Sequence, residues 1–166
     1  MSETAIHPYS PGTVGEVVRA HAAYYGLRWD FDARFEAQVS RELGEFIREF
    51  DAARDGFWRA ECDGKFAGGV AVDGSRSGHG CARLRWFIVP ESFQGKGIGS
   101  RLFDAAMDFC RERGLHTVHL WTFAGLDAAR ALYERGGFRL VEEAVGDGWG
   151  PVITEQKFVL SLRPTP

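Results

Sequence analysis

The sequence predicts a mixed α/β (α+β) fold, a mostly antiparallel sheet of six to seven strands flanked by about four helices. Three observations carry this. Segments of strand and helix periodicity run as strand, two helices, three strands, helix, strand, helix, two strands, an order that needs at least one right-handed crossover. Asp63-Gly64 sits between two strand-like runs, the pattern of a tight hairpin. A strand at 81–89 leads through a glycine loop straight into an amphipathic helix. The size agrees: 166 residues, 45% hydrophobic and 26% charged, read as one domain (1–166) whose core needs no staples.

Taken in order, residues 3–9 read as a short strand ended by Ser10-Pro11-Gly12. Thr13 caps a helix predicted to reach about Tyr25, with Val14, Val17, Val18, His21 and Ala22 at helical spacing. Gly26-Leu27-Arg28-Trp29-Asp30 reads as loop. The second helix spans about 31–50 on a stripe of Phe35, Val39, Leu43, Phe46, Ile47 and Phe50, weakened by Gly44. Residues 57–62 and 65–72 form the hairpin, 73–80 a Gly/Ser loop, and 81–89 a strand stopped by Pro90. The helix at 100–113 shows a broad apolar face and is closed by Gly114. A strand at 117–123 follows, and Asp127 caps a helix that Gly136 and Gly137 end at Arg135. Strands at 138–142 and 153–162 close the chain around the loop 146–150.

Composition excludes several functions. A net charge of −3 provides no basic field for nucleic acid or an anionic membrane. Gly12-Thr13-Val14-Gly15 has the letters of an RNA-clamping loop, but it opens a helix in an acidic chain. The N-terminus lacks the apolar core of a signal peptide, and no apolar run is long enough to span a bilayer. Three widely spaced cysteines, Cys62, Cys81 and Cys110, fit a reduced, cytoplasmic protein. His116 and His119, three apart on a strand, point to opposite faces, so no metal site is expected. A homodimer is left open.

The 21 glycines exceed average usage, and their placement is informative. Between Trp86 and Ser100 a strand enters a turn with Gly95, Gly97 and Gly99 at alternate positions, which opens into a helix. Glycines let backbone N–H groups converge on one point, and the helix N-terminus adds partial positive charge, so such a loop suits a phosphate or pyrophosphate. The alternative is a tight strand-to-helix turn that binds nothing. A Walker A loop fails because Lys96 is followed by Gly97, and the dinucleotide fingerprint fails at Ser100. Gln94, Gly97 and Gly99 instead fit Gln-x-x-Gly-x-Gly, and here the chain resembles the GNAT superfamily of N-acetyltransferases, whose acetyl-CoA pyrophosphate loop has this pattern. Residues 129–138 resemble the second signature of that family, a helix carrying Leu132-Tyr133 followed by Gly137-Phe138. The resemblance covers about 57–162; the C-terminal half looks most like acetyltransferase domains fused to MarR-type regulators, without a winged-helix region.

The resemblance implies acetyl-CoA as co-substrate and direct transfer to a primary amine of a small molecule or peptide. It places the pantetheine arm along Phe87, Ile88 and Val89. It places the pyrophosphate on Gln94, Gly95, Lys96, Gly97, Ile98, Gly99 and Ser100. Tyr133 becomes the acid that protonates the leaving thiolate. Many relatives have Asn where this chain has Leu126, which removes one cofactor contact. The attacking amine must also lose a proton, for which His119, Glu155 or a water chain are the candidates. Residues 21–31 and 146–150, with Tyr24, Tyr25, Arg28, Trp29, Asp30 and Trp149, are expected to wall the acceptor cleft, although aromatic core packing explains the same rings. The rival reading is an acetyl-CoA-binding sensor or interaction module without turnover.

Overall fold

A computed structural model describes residues 3–75 and 78–163. Seven strands form one sheet: β1 (Thr4–Pro8), β2 (Gly56–Cys62), β3 (Lys65–Asp73), β4 (Cys81–Ile88), β5 (Thr117–Phe123), β6 (Arg139–Gly146) and β7 (Ile153–Ser161). Their order is β1-β2-β3-β4-β5-β7-β6. Every neighbouring pair is antiparallel except β4 and β5, which run parallel. The crossover between these two strands is α3 (Ile98–Glu112). The remaining helices are α1 (Thr13–Trp29), α2 (Ala33–Arg48) and α4 (Asp127–Arg135).

Two apolar cores form, one on each face of the sheet. Leu102, Phe103, Ala106 and Met107 of α3 pack on Ala82, Leu84, Val118, Leu120 and Phe158, with Tyr133 and Phe138 beside them. On the other face Val17 of α1 and Phe35, Val39, Leu43 and Phe46 of α2 meet Trp86, Ile88 and Phe123.

Several predicted boundaries shift for identifiable reasons. The predicted loop 26–30 is instead the last turn of α1, because Trp29 packs its ring 4.9 Å from Phe123 and Tyr25 stacks on Phe31. That tertiary contact outweighs the cost of Gly26 in a helix. Asp30, at φ 56°, ends the helix. Thr13 is the first helical residue and Gly12 the cap, while Asp32 caps α2 by accepting from the Arg34 N–H. Helix α3 starts at Ile98, two residues before the predicted point, and Leu126 rather than Asp127 stands at the cap of α4. Strand β6 runs to Gly146 because β7 pairs with it along its whole length.

Strand β4 carries the irregularity that shapes the centre of the molecule. Against β3, Gly69 pairs with Ile88 and Ala71 with Arg85, so β4 holds one extra residue. Trp86 sits at this bulge with φ 47°. Arg85 and Trp86 therefore both face α2, and Phe87 is turned toward the α3 core.

Candidate active site

Strands β4 and β5 are paired only through Cys81–Thr117, Ala82–Val118 and Arg83–His119. Beyond Arg83 they part, leaving the β5-facing backbone edge from Leu84 to Ile88 without a strand partner. The gap opens toward the loop that precedes α3. There Pro90 leads into a 3-10 turn, Glu91–Phe93, and Gln94 donates from Nε2 to the Val89 carbonyl at 3.0 Å, tying the loop to the strand end.

Gly95 and Gly97 both have positive φ, 74° and 77°, and a Cβ at either would meet no atom within 4 Å. Their glycine requirement is thus conformational, and the space in front of them is open. Gly97 is the N-terminal cap of α3, and no side chain satisfies that end of the helix. Arg101 is the first N–H to bond within the helix, to the Gly97 carbonyl at 3.2 Å. The N–H groups of Ile98, Gly99 and Ser100 are left without helical partners, beside the positive end of the dipole. This cradle fits a pyrophosphate. Ile98 is only 1% exposed and packs into the α3 core. Lys96 is exposed, its Nζ 5.3 Å from the Phe93 ring centre.

A cavity of about 570 Å³ passes through the gap. Leu126, Ala129 and Tyr133 of the α4 region line one side, and Tyr25, His21 and the carboxylates of α2 line the other. Tyr133 is 6% exposed, and its ring lies 6.0–6.5 Å from those of Phe87, Phe103, Phe138 and Phe158. Burial pushes its phenol well above the usual range, so it stays protonated. Tyr25 approaches from the opposite layer. Burial raises its pKa too, and the neighbouring Tyr133 adds to the shift.

His21, read from sequence only as part of an apolar helix face, also lines the cavity. Its Nδ1 lies 2.8 Å from the Val17 carbonyl, which assigns the proton to Nδ1 and a lone pair to Nε2. Burial lowers its pKa to about 4 despite that bond. Glu155 pairs in register with Phe123, and its carboxylate lies by Gly146 and Gly148. His119 sits four residues back along β5, where the strands are still joined. Its pKa is lowered by burial first, then by Arg83 and Lys157.

The structure brings Tyr133, Glu155, His119, Leu126, Phe87, Tyr25 and Trp149 to one cavity. Trp149 meets Phe123 edge-on at 5.6 Å. Tyr24, Arg28 and Trp29 instead line a second, smaller cavity with Glu91, Gln94 and Gly125. His116 lies outside both, within 2.9 Å of an Arg163 nitrogen. Among the described residues no three His, Cys, Asp or Glu side chains gather as a metal site, and no helix is long and apolar enough to cross a membrane.

Solved structures share this architecture. An acetyltransferase of the GNAT family from Staphylococcus aureus Mu50 superposes with a TM-score of 0.77 at 15% identity, over 97% of this chain and 100% of that one. The yncA protein of Salmonella typhimurium, solved with its cofactor acetyl-CoA, gives 0.75 at 17% identity over 98% and 95%. The fold is that of an acetyltransferase. Residues 21–138 match the model of the Acetyltransferase (GNAT) family, and the chain belongs to that family. It is an acetyl-CoA-dependent acetyltransferase. The N-acetyltransferase YjgM of Escherichia coli K12, described as uncharacterized, is 30% identical over 136 residues, 80% of this chain and 78% of that one.

Proposed function

We propose that this protein moves an acetyl group from acetyl-CoA directly to a primary amine, with Tyr133 as the proton donor. The observation that supports this most is the cavity through the β4–β5 gap, which joins the two faces of the sheet at Tyr133. When bound, acetyl-CoA supplies an activated thioester carbonyl. The cradle of Gly95–Ser100 N–H groups takes the pyrophosphate, and the free edge of Phe87–Val89 takes the pantetheine amides in place of a neighbouring strand. Leu126 contributes only apolar contact, so backbone groups hold the arm where many relatives use Asn.

Two protons must move. The Tyr133 hydroxyl, held protonated by burial, donates to the leaving sulfur, whose thiol is of similar acidity in water. Glu155 is the better placed of the candidate bases: it stands level with Phe123 on the open stretch of β5, whereas His119 stands at the closed end, roughly 13 Å back along the strand. Glu155 receives the amine proton through water. Of the segments 21–31 and 146–150, His21, Tyr25 and Trp149 wall the acceptor side.

Residues 1–166 form one acetyltransferase domain, and its three free cysteines favour the cytoplasm. Exposed Leu140, Val141 and Val145 on the edge strand β6 favour a homodimer. The likeness of the C-terminal half to domains fused to MarR-type regulators rests on sequence. Tyr133→Phe tests the mechanism. It keeps the packed ring, so kcat should fall on the order of 100-fold with CoA affinity nearly unchanged. A kcat within about twofold of wild type, with chemistry rate-limiting, refutes Tyr133 as the acid. Tight acetyl-CoA binding without transfer to any amine of a mixed library would favour the sensor instead.

A further inference from the structure

The acceptor side of the cavity contains two arginines on the same face of β4 with different surroundings. Arg85 is satisfied: its guanidinium meets Glu42 of α2 at 2.6 Å and Asp73 of β3 at 3.1 Å. Asp73 is further held by the Ser75 N–H at 2.9 Å. Asp55, another carboxylate lining the cavity, accepts the N–H groups of Asp51 and Gly74 at 3.0 and 2.9 Å. Glu42, Asp73 and Asp55 are therefore engaged within the fold, while Glu155 of β7 lines the open end of the gap.

Arg83 is not. Among the described residues no carboxylate lies within 4 Å of its guanidinium, and its buried Nε has no hydrogen-bond partner. The side chain lines the cavity. A buried guanidinium N–H left unmade is costly, and the cost is removed when an anion arrives. Burial, then the like charge of Arg85, lowers the Arg83 pKa to about 10 against the opposing pull of the more distant Glu42 and Asp73, which leaves it a cation at neutral pH.

Arg83 is in register with His119 across the β4–β5 seam, and His119 feels the positive charge of both Arg83 and Lys157. Lys157 lies over the Trp121 ring, 5.6 Å from its centre, and also has no carboxylate within 4 Å among the described residues. Arg83 of β4 and Lys157 of β7, each without a carboxylate within 4 Å among the described residues, thus lie on either side of His119 at the closed end of the gap.

We propose that Arg83, flanked by His119 and Lys157, seats a carboxylate of the acceptor, so that the acceptor is an amine carrying a carboxylate roughly 10 Å from its nitrogen. This rests on the acetyl-transfer reading for the position of the amine. The separation follows from β5: Phe123, where the gap is open, is four residues from His119, which is in register with Arg83, or about 13 Å, less the reach of the arginine side chain. An α-amino acid acetylated on its α-nitrogen is too short. A short peptide or an ω-amino acid spans the distance.

The test uses three probes of one length, 8-aminooctanoate, octylamine and 1,8-diaminooctane, titrated by calorimetry into the full chain with CoA bound. Wild type should bind 8-aminooctanoate at least tenfold more tightly than octylamine. Arg83→Gln should erase that preference, and Arg83→Lys should retain part of it; melting curves confirm that the variants are folded. Equal binding, tighter binding of the diamine, no measurable binding of 8-aminooctanoate, or a preference that survives Arg83→Gln overturns the seat. Turnover with acetyl-CoA is read separately. Arg83-dependent binding without acetylation refutes the transfer reading and leaves the seat standing, whereas acetylation of 8-aminooctanoate and octylamine with equal kcat/KM overturns the seat alone.

Discussion

Lowering the pH should unfold this protein through His21 before most of its carboxylates respond. In the native state His21 is buried, uncharged and bonded through Nδ1 to the Val17 carbonyl, with its pKa near 4 against 6.5 when free. The unfolded chain therefore binds a proton that the folded chain refuses, and stability falls as pH drops from about 6.5 to about 4. From these two values the loss is about 2 kcal/mol at pH 5 and about 3 kcal/mol at pH 4. Urea unfolding at a series of pH values, on wild type and His21→Asn, isolates the contribution. Asn keeps a donor near Nδ1 but does not titrate, so the carboxylate background cancels in the difference. The midpoint of wild type should fall relative to the variant by on the order of 1 M urea between pH 7 and pH 5. Parallel pH profiles for the two proteins would show that His21 is protonated or solvated in the native state, and the buried-neutral assignment would be wrong.

Gly97→Glu puts a side chain at φ 77° and a negative charge in front of the α3 N-terminus, so CoA affinity should drop at least about 100-fold by calorimetry in a folded variant; near-normal affinity removes the loop from the site. Gly68→Ala places a Cβ 2.8 Å from the Ile88 carbonyl and 2.9 Å from Leu102, so it should cost about 1–3 kcal/mol in thermal or urea unfolding and weaken CoA binding by displacing the strand end. An unchanged stability would mean that β3 and β4 can move apart freely there. Substituting Trp149 by Leu should raise the acceptor KM more than it alters CoA affinity, read from initial rates and calorimetry; the opposite pattern would assign that wall to the cofactor.

The glycine loop was legible in the sequence because its signal is local: glycines at alternate positions between a strand and a helix have few other uses. The order of elements was legible for the same reason, since hydrophobic period and turn residues act over a few positions. What stayed hidden depends on distant partners. Gly26 announced a helix end, yet Trp29 is carried on by contact with Phe123, nearly a hundred residues away. The bulge at Trp86 leaves no mark in the letters Arg85-Trp86-Phe87, where no glycine announces a positive φ. His21 looked like one more residue on a helix face until its ring was seen at the cavity wall. Arg83 and Arg85 look alike as letters; only the return of Glu42 and Asp73 to one of them separates the two.

The short seam between β4 and β5 has a consequence for handling the protein. A sheet normally presents two outer edges, and folded proteins protect them. Here the parting of Leu84–Ile88 from Leu120–Phe123 adds a further pair of raw edges in the middle of the sheet, each ready to accept an extended chain. An extended ligand arm lying there acts as a surrogate strand. Without one, the same backbone groups keep no strand partner, so the empty protein should be the form that self-associates on storage, and its solubility should track how much of it is occupied by the acetyl donor.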